Sequence, residues 1–306
     1  MQYLRVRESN YVRFESKSKS QIIPHLSDHE KENKVQSQSI SKKINRLETK
    51  PSLPRDQLEY FYSKIFTHLA ITSKCNKVGS KPLSRQTEIN KRMRCILFDW
   101  LFQIHKKYHL KRRTMFLCSN IFDRYLEKVL VPRKSLQLVG LASLLIASKF
   151  EDIHPPEIKE LCSLCDNAYS KESLLAIEAD ILYRLDFNLV TVSTIDAAES
   201  LLLNFGIKSK TVLTYLSILL DLLNFYQHID RFGTFAVAAI AIQQAHVIAG
   251  VPTPPVIASL IPDSQTCEKL KTVLKKILLY QQVDNLKFLA EKYEAVFISV
   301  ERYLDW

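Results

Sequence analysis

LVGLASLLIASKFEDIHPP, residues 138–156, is the stretch whose reading decides the fold. From Leu138 to Phe150 it is apolar or small on nearly every side, so as a helix it has no polar face and must be wrapped by other helices. Its character then switches to Lys149, Glu151 and Asp152, and Pro155-Pro156 ends it, because proline lacks the amide N–H and clashes with the preceding turn. The segment therefore reads as a buried central rod that delivers a lysine to a surface. A lysine facing the negative end of a helix dipole is also common without any function.

Helical spacing extends outward on both sides of the rod. Before it, residues 86–108 (QTEINKRMRCILFDWLFQIHKKY) carry two apolar stripes, Ile89, Met93, Ile96, Leu97, Trp100 and Ile104 on one side and Cys95, Phe98, Leu101 and Phe102 on the other. One stripe suffices for ordinary packing, so the second implies either central burial or an exposed docking patch. Residues 112–127 form the next helix and 135–150 the rod itself. A short helix over 156–164 opens on proline, and Ser170 caps 171–185. A second group of helices is expected over 194–205, 209–226, 231–249, 265–281 and 284–303, with Gly206 as a stop. Within it, the run AVAAIAIQQA, residues 236–245, has the same all-round apolar character and is assigned the same central role. An amphipathic helix over 54–72, with Leu58, Phe61, Tyr62, Ile65 and Leu69 at helical spacing, precedes both groups. No useful strand alternation occurs, so the fold class is all-α, with two tandem five-helix bundles over 86–190 and 191–306.

Composition narrows the function. A chain of 306 residues that is 46% apolar can bury a sizeable core. Five glycines, none in a phosphate-cradling pattern, argue against a nucleotide enzyme. No nucleophile–base set or metal cluster stands at usable spacing, so no catalytic residue, cofactor or metal is assigned. The six cysteines lie mostly in apolar helical pattern, as reduced thiols do; Cys162 and Cys165 make a CxxC without a second pair, for which a helical core position is favoured over zinc. An apolar leader and a bilayer-spanning run are both lacking, so the protein is expected to be soluble with no membrane partner. The net charge of +11 suits nucleic acid or an acidic protein surface, but the basic residues are dispersed.

Residues 1–53 are rich in Ser, Lys, Gln and Glu and read as a disordered tail whose function would lie in short motifs. Two candidates are the tripeptide Lys31-Glu32-Asn33 and the RxxL of Arg55-Asp56-Gln57-Leu58.

The first bundle also carries a series of blocks: MRCILFDWL from Met93, NIFDRYL from Asn120, LQLVG from Leu136, ASKFED from Ala147, and Glu178 followed by ILYRLDF from Ile181. In this order and spacing they resemble the cyclin box of A/B-type mitotic cyclins, closely over residues 86–189 and mainly by layout in the second bundle. The resemblance implies a non-enzymatic regulatory subunit. It would bind a cyclin-dependent Ser/Thr protein kinase, reposition that kinase's αC helix and activation segment, recruit substrates and control the G2/M transition, in the nucleus and cytoplasm.

It also implies roles for particular residues. Lys149 and Glu178 match the pair that reaches the kinase backbone, and Ile65, Ile146, Phe150, Phe187 and Leu189 match apolar kinase contacts. Met93, Ile96, Leu97, Trp100, Leu136 and Gln137 match a docking patch for Arg-x-Leu substrates or inhibitors, with Gln103 where many members carry a glutamate that meets the arginine. Arg94 and Asp123 match an internal ion pair, and Leu138 a core position. Lys31, Glu32 and Asn33 become a degradation motif read by the anaphase-promoting ubiquitin ligase. The alternative is a transcription-initiation factor with two cyclin-like repeats contacting DNA and polymerase. The charge suits it, but no Cys-rich zinc ribbon is present, and direct nucleic-acid binding is not expected.

Overall fold

The computed structural model describes residues 55–74, 78–79, 83–225 and 232–261, together with Glu268, Lys269 and Thr272. Among the described residues every regular element is a helix: α1 (Arg55–Thr72), α2 (Lys91–Lys107), α3 (Arg112–Lys128), a 3-10 turn (Arg133–Ser135), α4 (Leu136–Glu151), α5 (Ile158–Ser163), α6 (Lys171–Arg184), α7 (Thr194–Asn204), α8 (Lys210–Leu223), α9 (Thr234–Ile248) and α10 (Pro255–Ser259). The tripeptide at residues 31–33 lies outside the described residues. So do most of the two helices expected over 265–281 and 284–303, of which Glu268, Lys269 and Thr272 are helical.

The central rod is α4. From Leu136 to Ser148 every residue except Gln137 is buried, and α2, α3 and α6 pack around it. A helix without a polar face is stable in water only when wrapped in this way. Its last turn emerges at Lys149 and Phe150, both exposed. Asp152 then leaves the helix in an extended conformation while its N–H still reaches Ser148 O at 2.9 Å. In the second bundle α9 plays the same part, buried along most of its length and packed on α7, α8 and α10.

One departure from the sequence expectation has a local cause. The helix expected to begin at Gln86 begins at Lys91, because the Asn90 side chain accepts from Met93 N at 3.0 Å and caps it there. Gln86 instead ties the approach to α2 onto the end of α3, donating to Leu126 O and Val129 O at 2.6 Å each and accepting from Val131 N at 3.0 Å. The amphipathic helix α1 packs against α7 of the second bundle, with Phe66 edge-on to Phe235 at 5.1 Å. The short helix α10, which no sequence expectation covered, opens on Pro255.

Three arginines lock the bundles together. Arg112 meets Asp221 in a two-pronged pair of 2.8 and 2.9 Å and also donates to Ser217 O. Arg113 pairs with Asp196 at 2.9 Å and Glu199 at 2.5 Å. Arg94 Nη1 donates to Asn224 O at 2.9 Å. No helix of the described residues is long and apolar enough to cross a membrane.

Candidate functional site

The lysine carried out by α4 meets a partner from α6. Lys149 Nζ donates to Glu178 Oε1 at 2.6 Å, the Lys149 side chain being 44% exposed and Glu178 8% exposed as a residue. A buried carboxylate is costly unless paired, so the Lys149 ammonium is held by it. An ammonium has three donors, and Glu178 occupies one. The result is a fixed positive charge at the surface with donor capacity to spare, suited to main-chain carbonyls of another protein.

Of the apolar residues expected beside this pair, Phe150 is 52% exposed, Phe187 70% and Ile65 47%. Ile146 and Leu189 depart from expectation: at 3% and 9% they belong to the core and offer almost no surface. Ile146 lies in the wrapped part of α4, a turn before the helix emerges, and Leu189 packs inward as the chain crosses to the second bundle. Sequence reasoning missed Ile153, Tyr183 and Val190, all large and well exposed. The one available signal was Ile153, an apolar residue in the polar turn between Asp152 and the prolines.

On α2 the two stripes part company. Phe98, Leu101 and Phe102 are wholly buried; Phe98 meets Phe122 edge-on at 5.5 Å, and Phe102 stacks on Phe225 at 5.4 Å. The other stripe reaches the surface at Ile96, which is exposed, while Met93 and Trp100 are half-buried. Leu97 and Leu136 are buried and so can only form the floor of a docking patch. Gln137 is half-buried and lies 3.5 Å from Tyr169 Oη, and exposed Gln103 donates to Asp99 Oδ2 at 3.3 Å. Gly140 underlies this floor: a Cβ there would stand 2.8 Å from Leu97 Cδ2. Gly140→Val is therefore expected to cost about 3 kcal/mol by overpacking, read as a fall in the urea midpoint at unchanged slope. An unchanged midpoint would mean that Leu97 is free to move.

Arg94 and Asp123 form the expected pair, Nε to Oδ1 at 2.8 Å and Nη2 to Oδ2 at 2.7 Å, joining α2 to α3. Both are buried, and the guanidinium also lies over the Phe98 ring at 4.2 Å. Desolvation is the largest single influence on each: it opposes the charge on Arg94, where attraction to Asp123 wins and holds the group above its ordinary value, and it pushes the Asp123 carboxyl up against the opposing pull of Arg94.

Cys162 and Cys165 are free, buried thiols, and burial pushes Cys165 up to about 11. Among the described residues no group of His, Cys, Asp or Glu is placed to hold a metal ion. Arg112 and Arg113, two of the arginines that join the bundles, were not anticipated. Their signal was Lys111-Arg112-Arg113 at the start of a helix, where positive charge opposes the dipole and calls for acidic partners elsewhere.

Residues 64–190 match the family described as "Cyclin, N-terminal domain". Over 129 residues, 42% of this chain and 33% of the relative, the sequence is 44% identical to "G2/mitotic-specific cyclin-B" of Marthasterias glacialis. It is 48% identical over 112 residues to "G2/mitotic-specific cyclin S13-7" of Glycine max, covering 37% of this chain and 43% of that protein. The matches thus span less than half the length of these relatives. The X-ray structure of a viral cyclin from herpesvirus saimiri superposes with a TM-score of 0.59 at 20% identity, over 71% of this chain and 95% of that one, a likeness of fold.

Proposed function

We propose, from the match of residues 64–190 to the cyclin N-terminal domain, that the chain is the regulatory subunit of a cyclin-dependent Ser/Thr protein kinase acting at the G2/M transition. The observation that carries this reading is the Lys149–Glu178 pair, a half-exposed ammonium fixed by a buried carboxylate at 2.6 Å, with the exposed rings of Phe150 and Phe187 on the segments that follow each partner. The ammonium meets backbone carbonyls beside the kinase's αC helix, and the rings supply apolar area to the same surface. ATP, magnesium and phosphoryl transfer belong to the kinase. The chain acts by binding the active arrangement of αC and activation segment more tightly than the inactive one, which shifts the kinase population in proportion to that difference.

Ile96, Met93, Trp100, Gln103 and Gln137, over the floor of Leu97 and Leu136, form the docking patch for Arg-x-Leu segments of substrates or inhibitors. Lys31-Glu32-Asn33 serves as the recognition motif for the anaphase-promoting ubiquitin ligase. The protein works in the nucleus and cytoplasm.

A pull-down of the tagged chain from cell extract, followed by a histone-phosphorylation assay, tests the reading. A co-purifying kinase whose activity depends on the chain is the expected result. Salt-sensitive retention on DNA with no kinase activity would favour the transcription-factor alternative, which the +11 charge suits.

A further inference from the structure

The turn that carries Phe187 is unusual. Asp186 and Phe187 both adopt the left-handed conformation, with φ of 53° and 54°. The hydrogen bonds are those of a Schellman ending: Asp186 N to Tyr183 O at 3.1 Å and Phe187 N to Leu182 O at 2.9 Å. That ending needs one left-handed residue, usually glycine, and aspartate tolerates the position better than most. A second such residue with a bulky aromatic side chain is an outlier that surrounding structure must hold in place. The strained residue is thus the one whose ring stands 70% exposed, just past the end of α6, the helix that carries Glu178.

Two cations of α3 hold both ends of this turn. Lys128 Nζ donates to Arg184 O at 2.5 Å, entering the turn, and stands 3.8 Å from Asp186 Oδ2. Arg124 Nη1 donates to Asn188 O at 3.0 Å, leaving it, and is braced by Asn120 Oδ1 at 3.3 Å. Arg124 is buried as a residue; burial draws it below its ordinary value, with the charges of Glu127 and Asp186 opposing. The carbonyls before and after the left-handed pair are thus tied to a single neighbouring helix.

We propose that Arg124 and Lys128 are positioning residues that hold the left-handed Asp186–Phe187 turn so that the Phe187 ring is presented ready-made to the kinase. This rests on the kinase-activating reading above and adds to it the clamp that preorganises one contact. A preorganised contact avoids the ordering cost of binding, so loosening the clamp weakens association and leaves the bound kinase unchanged.

The test titrates the purified, monomeric kinase identified in the pull-down with the full chain and its variants, reading half-saturating concentration and maximal histone-phosphorylation rate separately. Phe187→Ala and Arg124→Gln are each expected to raise the half-saturating concentration about tenfold, roughly 1.4 kcal/mol, with the maximal rate unchanged. Because Arg124 acts through Phe187, the double variant should be no weaker than Phe187→Ala alone. Asp186→Gly placed on Arg124→Gln should restore most of the affinity, since glycine adopts positive φ without steric cost. Lys128→Met, a change at a half-exposed side chain with little risk to folding, should show a smaller loss of about threefold in the same direction. Effects of Arg124→Gln and Phe187→Ala that multiply, or a Lys128→Met chain with unaltered affinity, would overturn the clamp while leaving the kinase reading intact. An unaltered chain that fails to stimulate the kinase would overturn both.

Discussion

Replacing Arg94 by alanine is expected to lower the unfolding free energy by about 3–5 kcal/mol, among the largest effects of any single substitution in the first bundle. The carboxylate of Asp123 would remain buried with both of its short charge-assisted bonds gone, and the desolvation that already pushes it upward would act unopposed. The contact from Arg94 Nη1 to Asn224 O would be lost as well, so the attachment of the second bundle should loosen with the first. Arg94→Met combined with Asp123→Leu should recover most of the loss, because what is expensive is one buried charge without its partner and not the absence of the pair. Urea unfolding followed by circular dichroism reads both results. A loss below about 1 kcal/mol for Arg94→Ala would mean that water reaches Asp123.

The second large effect is on activity. Lys149→Ala with Glu178→Ala should reduce kinase stimulation at least a hundredfold at fixed chain concentration, about 2.7 kcal/mol, with helical content unchanged. The expectation follows from the two environments. Lys149 is at the emerging end of α4, outside the buried part of that helix, with its ammonium tied to Glu178. Removing both together leaves no unpaired buried charge, so the loss should fall on association and not on folding. Glu178→Ala alone leaves a lysine free to rotate, and should cost less activation than the double change because the charge is still present.

Much of this was legible in the residues. The rod at 138–150 could be read directly because a sequence apolar on all sides has one stable solution in water, and α4 is wrapped by α2, α3 and α6. Ser170 and Gly206 marked helix ends by local chemistry that needs no tertiary context: the Ser170 hydroxyl accepts from Ser173 N, and Gly206 adopts φ of 64°. The start of α2 was misplaced because Gln86 is a good helix former whose actual partners lie across the fold on α3. Ile146 and Leu189 show a further limit. A motif fixes where a residue stands on a helix or crossing, but how deeply it is covered depends on side chains distant in sequence. For the same reason the Arg112–Asp221 bridge, between helices far apart along the chain, was visible only as an unexplained excess of positive charge at a helix start.

Calorimetric titration of a purified, monomeric cyclin-dependent kinase with the full chain tests the central claim most directly. Saturable one-to-one association, abolished or weakened at least a hundredfold by the paired Lys149→Ala and Glu178→Ala changes, is the predicted result. Association of equal strength with and without those two side chains would contradict it.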